Sequence, residues 1–310
     1  MAYELSTRLV IGLSSSALFD LEESDQIFRT DGEAKYREYQ LKHQDIPLKK
    51  GVAFHFIEKL LSINSINPQD PPIEVILLSR NDPDTGLRVM NSIDHYGIGI
   101  TRALFLQGRA PHIYIDSLSV DLFLSANNTD VNQAIIAGYP AGQVLKSNIN
   151  EYKYLDHHDE LRIALDFDGV IADDEAEAIY KSGGINAFHS YEKEHVNDVH
   201  KQGPLAKFLQ KLSEISKQEI EYAEKNNDYT PKLRISIVTA RNAPSHKRVI
   251  NTLRKWNVQV NEAFFLGGID KGKILEVLNP HIFFDDQKVH LDNTVDISPS
   301  VHIPFGIRNN

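Results

Sequence analysis

Apolar residues gather along the chain in short runs rich in branched side chains, separated by longer stretches in which apolar and polar positions recur at helical spacing. LVIGLS at 9–14 and RIALDF at 162–167 are each followed by a polar helical stretch and then by a glycine-started amphipathic segment, GVAFHFIEKLL or GPLAKFLQKLS. EVILLS and ISIVTA precede the helical segments LRVMNSIDHYG and KRVINTLRKWN. ALFL and AFFL precede a further helix, and VDLFLS and HIFFDD close the series. Branched runs bounded by polar segments predict strands. Strands alternating with helices predict right-handed βαβ crossovers and a parallel sheet covered on both faces. The expected class is α/β with a Rossmann-like parallel sheet.

The pattern is written twice. Shifted by 152 residues, 11–64 lies on 163–216 without a gap and with 13 identities, among them Gly32/Gly184, Tyr39/Tyr191, His43/His195 and Gly51/Gly203. Shifted by 160 residues, 75–126 lies on 235–286 with nine identities, among them Arg88/Arg248, Asn91/Asn251 and Phe123/Phe283. Chance pairing at average composition gives on the order of three matches in each stretch. The difference between the offsets puts one insertion in the second copy, within IEYAEKNNDYTPKL, read as a loop or a helix extension. Two copies of one design are expected, 1–150 and 151–310, joined near 146–161.

Length agrees, since 310 residues at roughly 150 per domain gives about two domains. The net charge of −10 and the lack of a long Lys/Arg run argue against binding a nucleic-acid polymer. No window supplies the ~18 apolar residues of a membrane span. The start MAYELSTRLVIGLSSSALFD faintly resembles a secretory leader, but Glu4 and the repeat assign it to a first strand. With no Cys, thiolate metal sites, disulfides and Cys nucleophiles are excluded, and a reducing compartment is allowed. Any metal must sit on oxygen or imidazole.

Ligands of open parallel sheets gather at the carboxyl ends of the strands. In the second copy those ends carry Asp166 and Asp168 in LDFDGV, Thr239 in IVTARN, Lys271 after AFFLGG, and Asp285-Asp286 in HIFFDD. Residues two apart on a strand point the same way, so Asp166 and Asp168 can address one site. Oxygen ligands favour Mg²⁺, which takes one or two carboxylates and leaves room for phosphate oxygens. Singly, each residue has an ordinary structural explanation as turn former, strand residue, loop charge or helix cap. The first copy is an internal control: it has Ser14, Ser16, Ser79, Pro111, Ser125 and Ala126 at the matching positions. The apolar pattern is kept and the charges are gone, which assigns the charges to chemistry.

The order DxDGV, hydroxyl, Lys, DD resembles the haloacid-dehalogenase-like phosphohydrolases. More narrowly, LSSSALFD, YQLKHQDIPLKKGVAF, NSIDHYG, QGPLAKFL, TARNAP, FFLGGIDKG and PHIFFDDQKVH are similar to the cytosolic 5′-nucleotidases of type I, over nearly the whole chain. The resemblance implies a cytoplasmic Mg²⁺-dependent hydrolase of nucleoside 5′-monophosphates such as AMP or dCMP. It implies Asp166 as nucleophile forming an aspartyl-phosphate, Asp168 as general acid and then base, and Thr239 and Lys271 as phosphate ligands. Arg241 is a further phosphate candidate whose alternative is a surface charge near a helix start. Mg²⁺ would be held by Asp166, Asp285, the backbone carbonyl of Asp168, and Asp286 as ligand or neighbour. The second copy is then the catalytic domain, with a helical cap insertion at about 174–230 in which Tyr180, Phe188, Tyr191 and His195 are base-contact candidates, and the first copy is a degenerate domain. A phosphatase of another small ester and a non-catalytic nucleotide sensor are the alternatives, and homo-oligomerisation stays open. GGIDKGK formally spells a phosphate loop, but Ile274 stands where Ser or Thr would bind Mg²⁺. His281 and His290 are expected to be structural, and Trp256 to be core.

Overall fold

Each branched run forms a strand in the computed structural model, which describes residues 3–147, 159–307 and 309. The chain divides into two units, Met1–Val144 and Leu145–Asn310. Most of the expected joint near 146–161 lies outside the described residues.

The first unit runs β1 (Leu9–Leu13), α1 (Ser15–Leu18), β2 (Phe19–Asp20), α2 (Glu22–Lys42), β3 (Lys49–Lys50), α3 (Phe54–Ser62), β4 (Ile73–Ser79), α4 (Pro83–His95), β5 (Arg102–Phe105), β6 (Leu122–Ser125), α5 (Asn128–Ile136) and β7 (Ala141–Val144). Its sheet has the order β7-β6-β1-β4-β5 with every pair parallel, and β2 and β3 form a small antiparallel pair. The second unit runs β8 (Leu161–Leu165), α6 (Glu175–Glu194), α7 (Ala206–Lys225), β9 (Leu233–Thr239), α8 (His246–Lys255), β10 (Glu262–Phe265), α9 (Lys271–Leu278), β11 (Ile282–Asp285), α10 (Lys288–Asp292) and β12 (Ser300–His302). Its sheet reads β12-β11-β8-β9-β10, again parallel throughout. Among the described residues no helix is long and apolar enough to cross a membrane.

Many residues identical between the halves hold the same joints in each unit. Arg88 donates to the carbonyl of Ile46 and Arg248 to that of Asp198, both at 3.0 Å. Asn91 and Asn251 donate to the carbonyls of Gln44 and Val196 at 3.0 and 2.9 Å. The ring pairs Tyr39/His43 and Tyr191/His195 stack at 4.1 and 4.0 Å. Gly32 and Gly184 kink α2 and α6 at matching positions with φ of 84° and 71°, a region that costs an ordinary L-residue Cβ strain. One joint is kept with its charges exchanged: Arg102 pairs with Glu74 at 2.8 Å in the first unit, and Arg234 with Glu262 at 2.9 Å in the second.

The halves also differ. The insertion lengthens a helix, since α7 has 20 residues where α3 has nine. Between β5 and β6 the first unit has only a 3₁₀ turn at Pro111–Tyr114, where the second has α9. Of the segment 174–230, α7 buries Phe208, Leu209, Leu212 and Ile215, and Phe208 meets Phe284 of β11 at 5.9 Å. It is therefore a crossover helix against the sheet. Trp256 is half-buried at the C-terminal cap of α8. Phe123 and Phe283 are fully buried in their units. Truncating such a side chain costs about 3–5 kcal/mol, so Phe123→Ala and Phe283→Ala are each expected to lose that much in urea unfolding.

Candidate active site

Three adjacent strands of the second unit, β9, β8 and β11, deliver oxygen-bearing side chains at their carboxyl ends. Thr239 ends β9, Asp166 directly follows β8, and Asp285 ends β11. All three are buried, as are Lys271, Arg241 and Asp286; Asp168 is partly exposed. Asp270 caps α9 by accepting from the Gly272 amide at 2.9 Å, which sets Lys271 at the first helical position. From there its ammonium lies 2.7 Å from Asp166 Oδ2 and 2.7 Å from Asp285 Oδ2. Gly169, at φ 72°, passes so close to Asp286 that a Cβ would lie 2.6 Å from its carboxyl group. Any side chain there would push against that carboxyl.

These charges are crowded. Burial and the charges of Asp166 and Asp285 push the Asp286 carboxyl up to about 9, with Lys271 opposing. Oδ1 of Asp286 is buried without a hydrogen-bond partner among the described residues. Burial raises Asp166 despite Lys271, whereas at Asp285 the Lys271 charge and the His290 hydrogen bond outweigh burial and hold the carboxyl low. Burial alone would lower Lys271, but its two carboxylates raise it.

His290, read from sequence as structural, joins this group: Nδ1 lies 3.1 Å from Asp285 Oδ2. Ligand atoms of Asp166, Asp285 and His290 all lie within 4.8 Å of one another. The donors are mostly carboxylate oxygens, the orphaned Asp286 oxygen is at hand, and the raised Asp286 value marks excess negative charge. These residues fit a hard divalent cation. The short α10 folds His290 back onto the strand end it follows, a return that residue spacing alone does not reveal.

Arg241 is placed differently from a surface charge. It grips Asp168 through two bonds of 2.7 Å and also bonds Glu192, with its guanidinium 5.3 Å from the ring centres of both Phe167 and Phe188. Its amide donates to Thr239 Oγ1 at 3.3 Å. Glu192, on α6, is buried, accepts from Arg248 at 2.8 Å and lies 3.6 Å from His200. Burial would raise its carboxyl, but the neighbouring His200 ring and the two arginines hold it at about 2. The sequence offered one signal for Glu192: its counterpart is Gln40, which meets Arg88 at 3.1 Å in the same geometry without a charge. Tyr180 is exposed on α6 and Phe188 buried, while Tyr191 and His195 are occupied with each other.

The chain is 34% identical over 290 residues to human cytosolic 5′-nucleotidase 1B, an alignment covering 92% of this chain and 47% of that protein. It thus spans about half the length of that relative. The family model described as 5′-nucleotidase matches residues 1–310. The chain belongs to the 5′-nucleotidase family.

Proposed function

We propose that the second unit is a haloacid-dehalogenase-like catalytic domain that hydrolyses nucleoside 5′-monophosphates, AMP- or dCMP-like, with Mg²⁺. The observation that carries this reading is the set of buried carboxylates Asp166, Asp285 and Asp286 around the single ammonium of Lys271 at adjacent strand ends. Family membership and the name of the human relative support it. The word cytosolic in that name supports a cytoplasmic location. The substrate is a small ester, with no role for a nucleic-acid polymer or a membrane, and a homo-oligomer is compatible with it. The first unit is read as a degenerate copy of the same design, on the strength of the matching strand order, kinks and side-chain joints. The cap is narrowed to α6 and the loop after it.

Asp166 attacks phosphorus as the nucleoside 5′-oxygen departs, forming an aspartyl-phosphate. Asp168 gives a proton to that leaving oxygen and then takes one from the water that cleaves the acyl phosphate. Arg241 orients Asp168 through both carboxylate oxygens, and Glu192 in turn fixes Arg241. Thr239 and Lys271 bind the phosphoryl oxygens, where transition-state charge is spread, with Arg241 beside them. Asp166, Asp285, Asp286 and the Asp168 carbonyl would hold the cation, with His290 fixing Asp285. Bound Mg²⁺ would neutralise the repulsion between an anionic nucleophile and an anionic phosphate.

Asp166→Asn is expected to abolish phosphate release from AMP and dCMP while leaving the circular dichroism unchanged; turnover like that of the parent would refute the mechanism. For Asp286 the folded value of about 9 lies above the ordinary 3.8, so the unfolded chain gives up this proton first as pH rises. Without a divalent cation the cost of this carboxyl to stability therefore grows from about pH 4 to about pH 9 and persists above that. Added Mg²⁺ should raise the melting temperature at pH 8 and release protons, and Asp286→Asn should remove the proton release and shrink the rise in melting temperature. Glu192 has the opposite sign: held at about 2 against an ordinary 4.5, it contributes stability above the ordinary value that is lost as pH falls through about 2. Glu192→Gln should cost about 3–5 kcal/mol at pH 7, because two buried arginines lose their carboxylate, and should flatten the acid limb of the unfolding curve.

A further inference from the structure

The strand ends of the first unit, stripped of their charges, are not filled in. A cavity of about 770 Å³ lies there, large enough for a drug-sized ligand. Its floor is hydroxyl and amide: Ser14 and Ser16 bond each other at 3.0 Å, and Ser125 and Asn127 lie alongside. Two of the guanidinium groups on its walls are committed to carboxylates. Arg80 holds Asp130 at 2.9 and 3.1 Å, and Arg37 holds Asp82 at 2.8 Å. With Pro111 in place of the lysine and Ser14, Ser16, Ser125 and Ala126 in place of the strand-end carboxylates, the cavity lacks the metal- and phosphoryl-binding set of the second unit; the carboxylates that line it are Asp25, Glu33, Asp82 and Asp130, of which Asp82 and Asp130 are paired with arginines.

The roof tells a different story. Phe28 and Tyr36 of α2 line the cavity and meet edge to face at 5.6 Å, and Phe28 stays 51% exposed. Their counterparts at the 152-residue offset are Tyr180 and Phe188, on the helix that carries Glu192, and the matching kinks Gly32 and Gly184 separate the two aromatics in each case. Position 36 also repeats a contact of position 188: Tyr36 donates to Asn81 at 3.1 Å where Phe188 meets Arg241, the residue aligned with Asn81. Nδ2 of Asn81, on the cavity wall, has no hydrogen-bond partner among the described residues. The first unit has thus kept flat rings over a polar floor and lost the ester-cleaving groups.

We infer that this cavity binds a nucleoside moiety, an aromatic base with its ribose, without cleaving it. The base stacks on Phe28 and the sugar hydroxyls meet Ser14, Ser16 and Asn127. The ligand class rests on the reading of the second unit as a nucleotidase; the cavity and its rings do not. The moiety can arrive as a free nucleoside or within a nucleotide whose phosphate turns toward Arg29 at the wall.

The test is calorimetric titration of adenosine, AMP and inorganic phosphate into the full chain carrying Asp166→Asn, with and without Ser16→Phe, which fills the cavity floor. The inference requires a component of adenosine or AMP binding that Ser16→Phe removes and that inorganic phosphate does not displace. A removable component tighter for AMP identifies the nucleotide as the source, and one equal or tighter for adenosine identifies the nucleoside. Should Ser16→Phe melt early, Phe28→Ala at the exposed roof serves instead, with a weakening of about 5- to 100-fold expected from loss of base stacking. Binding untouched by either variant, or displaced by inorganic phosphate, overturns the inference. Phosphate release by the unsubstituted chain separates the two readings: a chain whose first unit binds as required but that releases no phosphate from any nucleoside monophosphate sinks only the proposed activity.

Discussion

Like-charge repulsion among Asp166, Asp285 and Asp286 is the constraint around which the second unit is arranged. Three carboxyl groups out of water at neighbouring strand ends cannot all ionise beside one lysine, and burial raises the cost of each charge. Lys271 sits between two of them, His290 braces one, and the third is pushed toward its protonated form and has a buried oxygen without a hydrogen-bond partner among the described residues. A domain selected for stability alone would dispose of this arrangement, and the first unit, with Ser14, Ser125 and Ala126, shows the same sheet built without it. The strain fits a site that is completed by a cation and a phosphate.

Around that cluster lies a second layer in which charge is balanced. Glu192 satisfies Arg241 and Arg248 together, and Arg241 is further held between the rings of Phe167 and Phe188. Burying an ion network is expensive unless every member is paired. Here the network joins α6 to Asp168, three positions past β8, through Arg241, so orientation at Asp168 depends on a residue 73 positions away in the chain.

Much of this was legible in the sequence because two signals are local. Branched runs such as LVIGLS and IVTA mark strands wherever they stand, and the residue that ends a parallel strand is at the ligand-bearing edge by geometry alone. Asp166, Thr239 and Asp285 are expected at strand ends on that ground, and they stand there. Comparing the halves added a filter, since Arg88/Arg248 and Asn91/Asn251 are kept as joints while the residues of the site differ. What escaped depends on tertiary return. His290 reaches Asp285 only because α10 is a single short turn, and Arg241 turns inward because Glu192 and Asp168 wait there, neither of which spacing encodes. The segment 174–230 was blurred for a related reason: only the buried face of α7, with Phe208, Leu209, Leu212 and Ile215, shows that this part packs against the sheet.

The exchanged ion pair on the outer strands has a consequence for a chain that contains its own near-copy. Strands β5 and β10 are the edges of their five-stranded orders, and each is joined to its inner neighbour by one Arg–Glu pair of opposite sense. Were β5 to settle against β9 while the chain folds, Arg102 would meet Arg234; were β10 to settle against β4, Glu262 would meet Glu74. In the native registers Arg102 lies across from Ile76 and Glu262 across from Ser236, so each charge meets its partner diagonally, and like charges at such neighbouring positions disfavour pairing. The reversal of one salt bridge thus gives each half a means of recognising its own edge strand, which identical halves would lack.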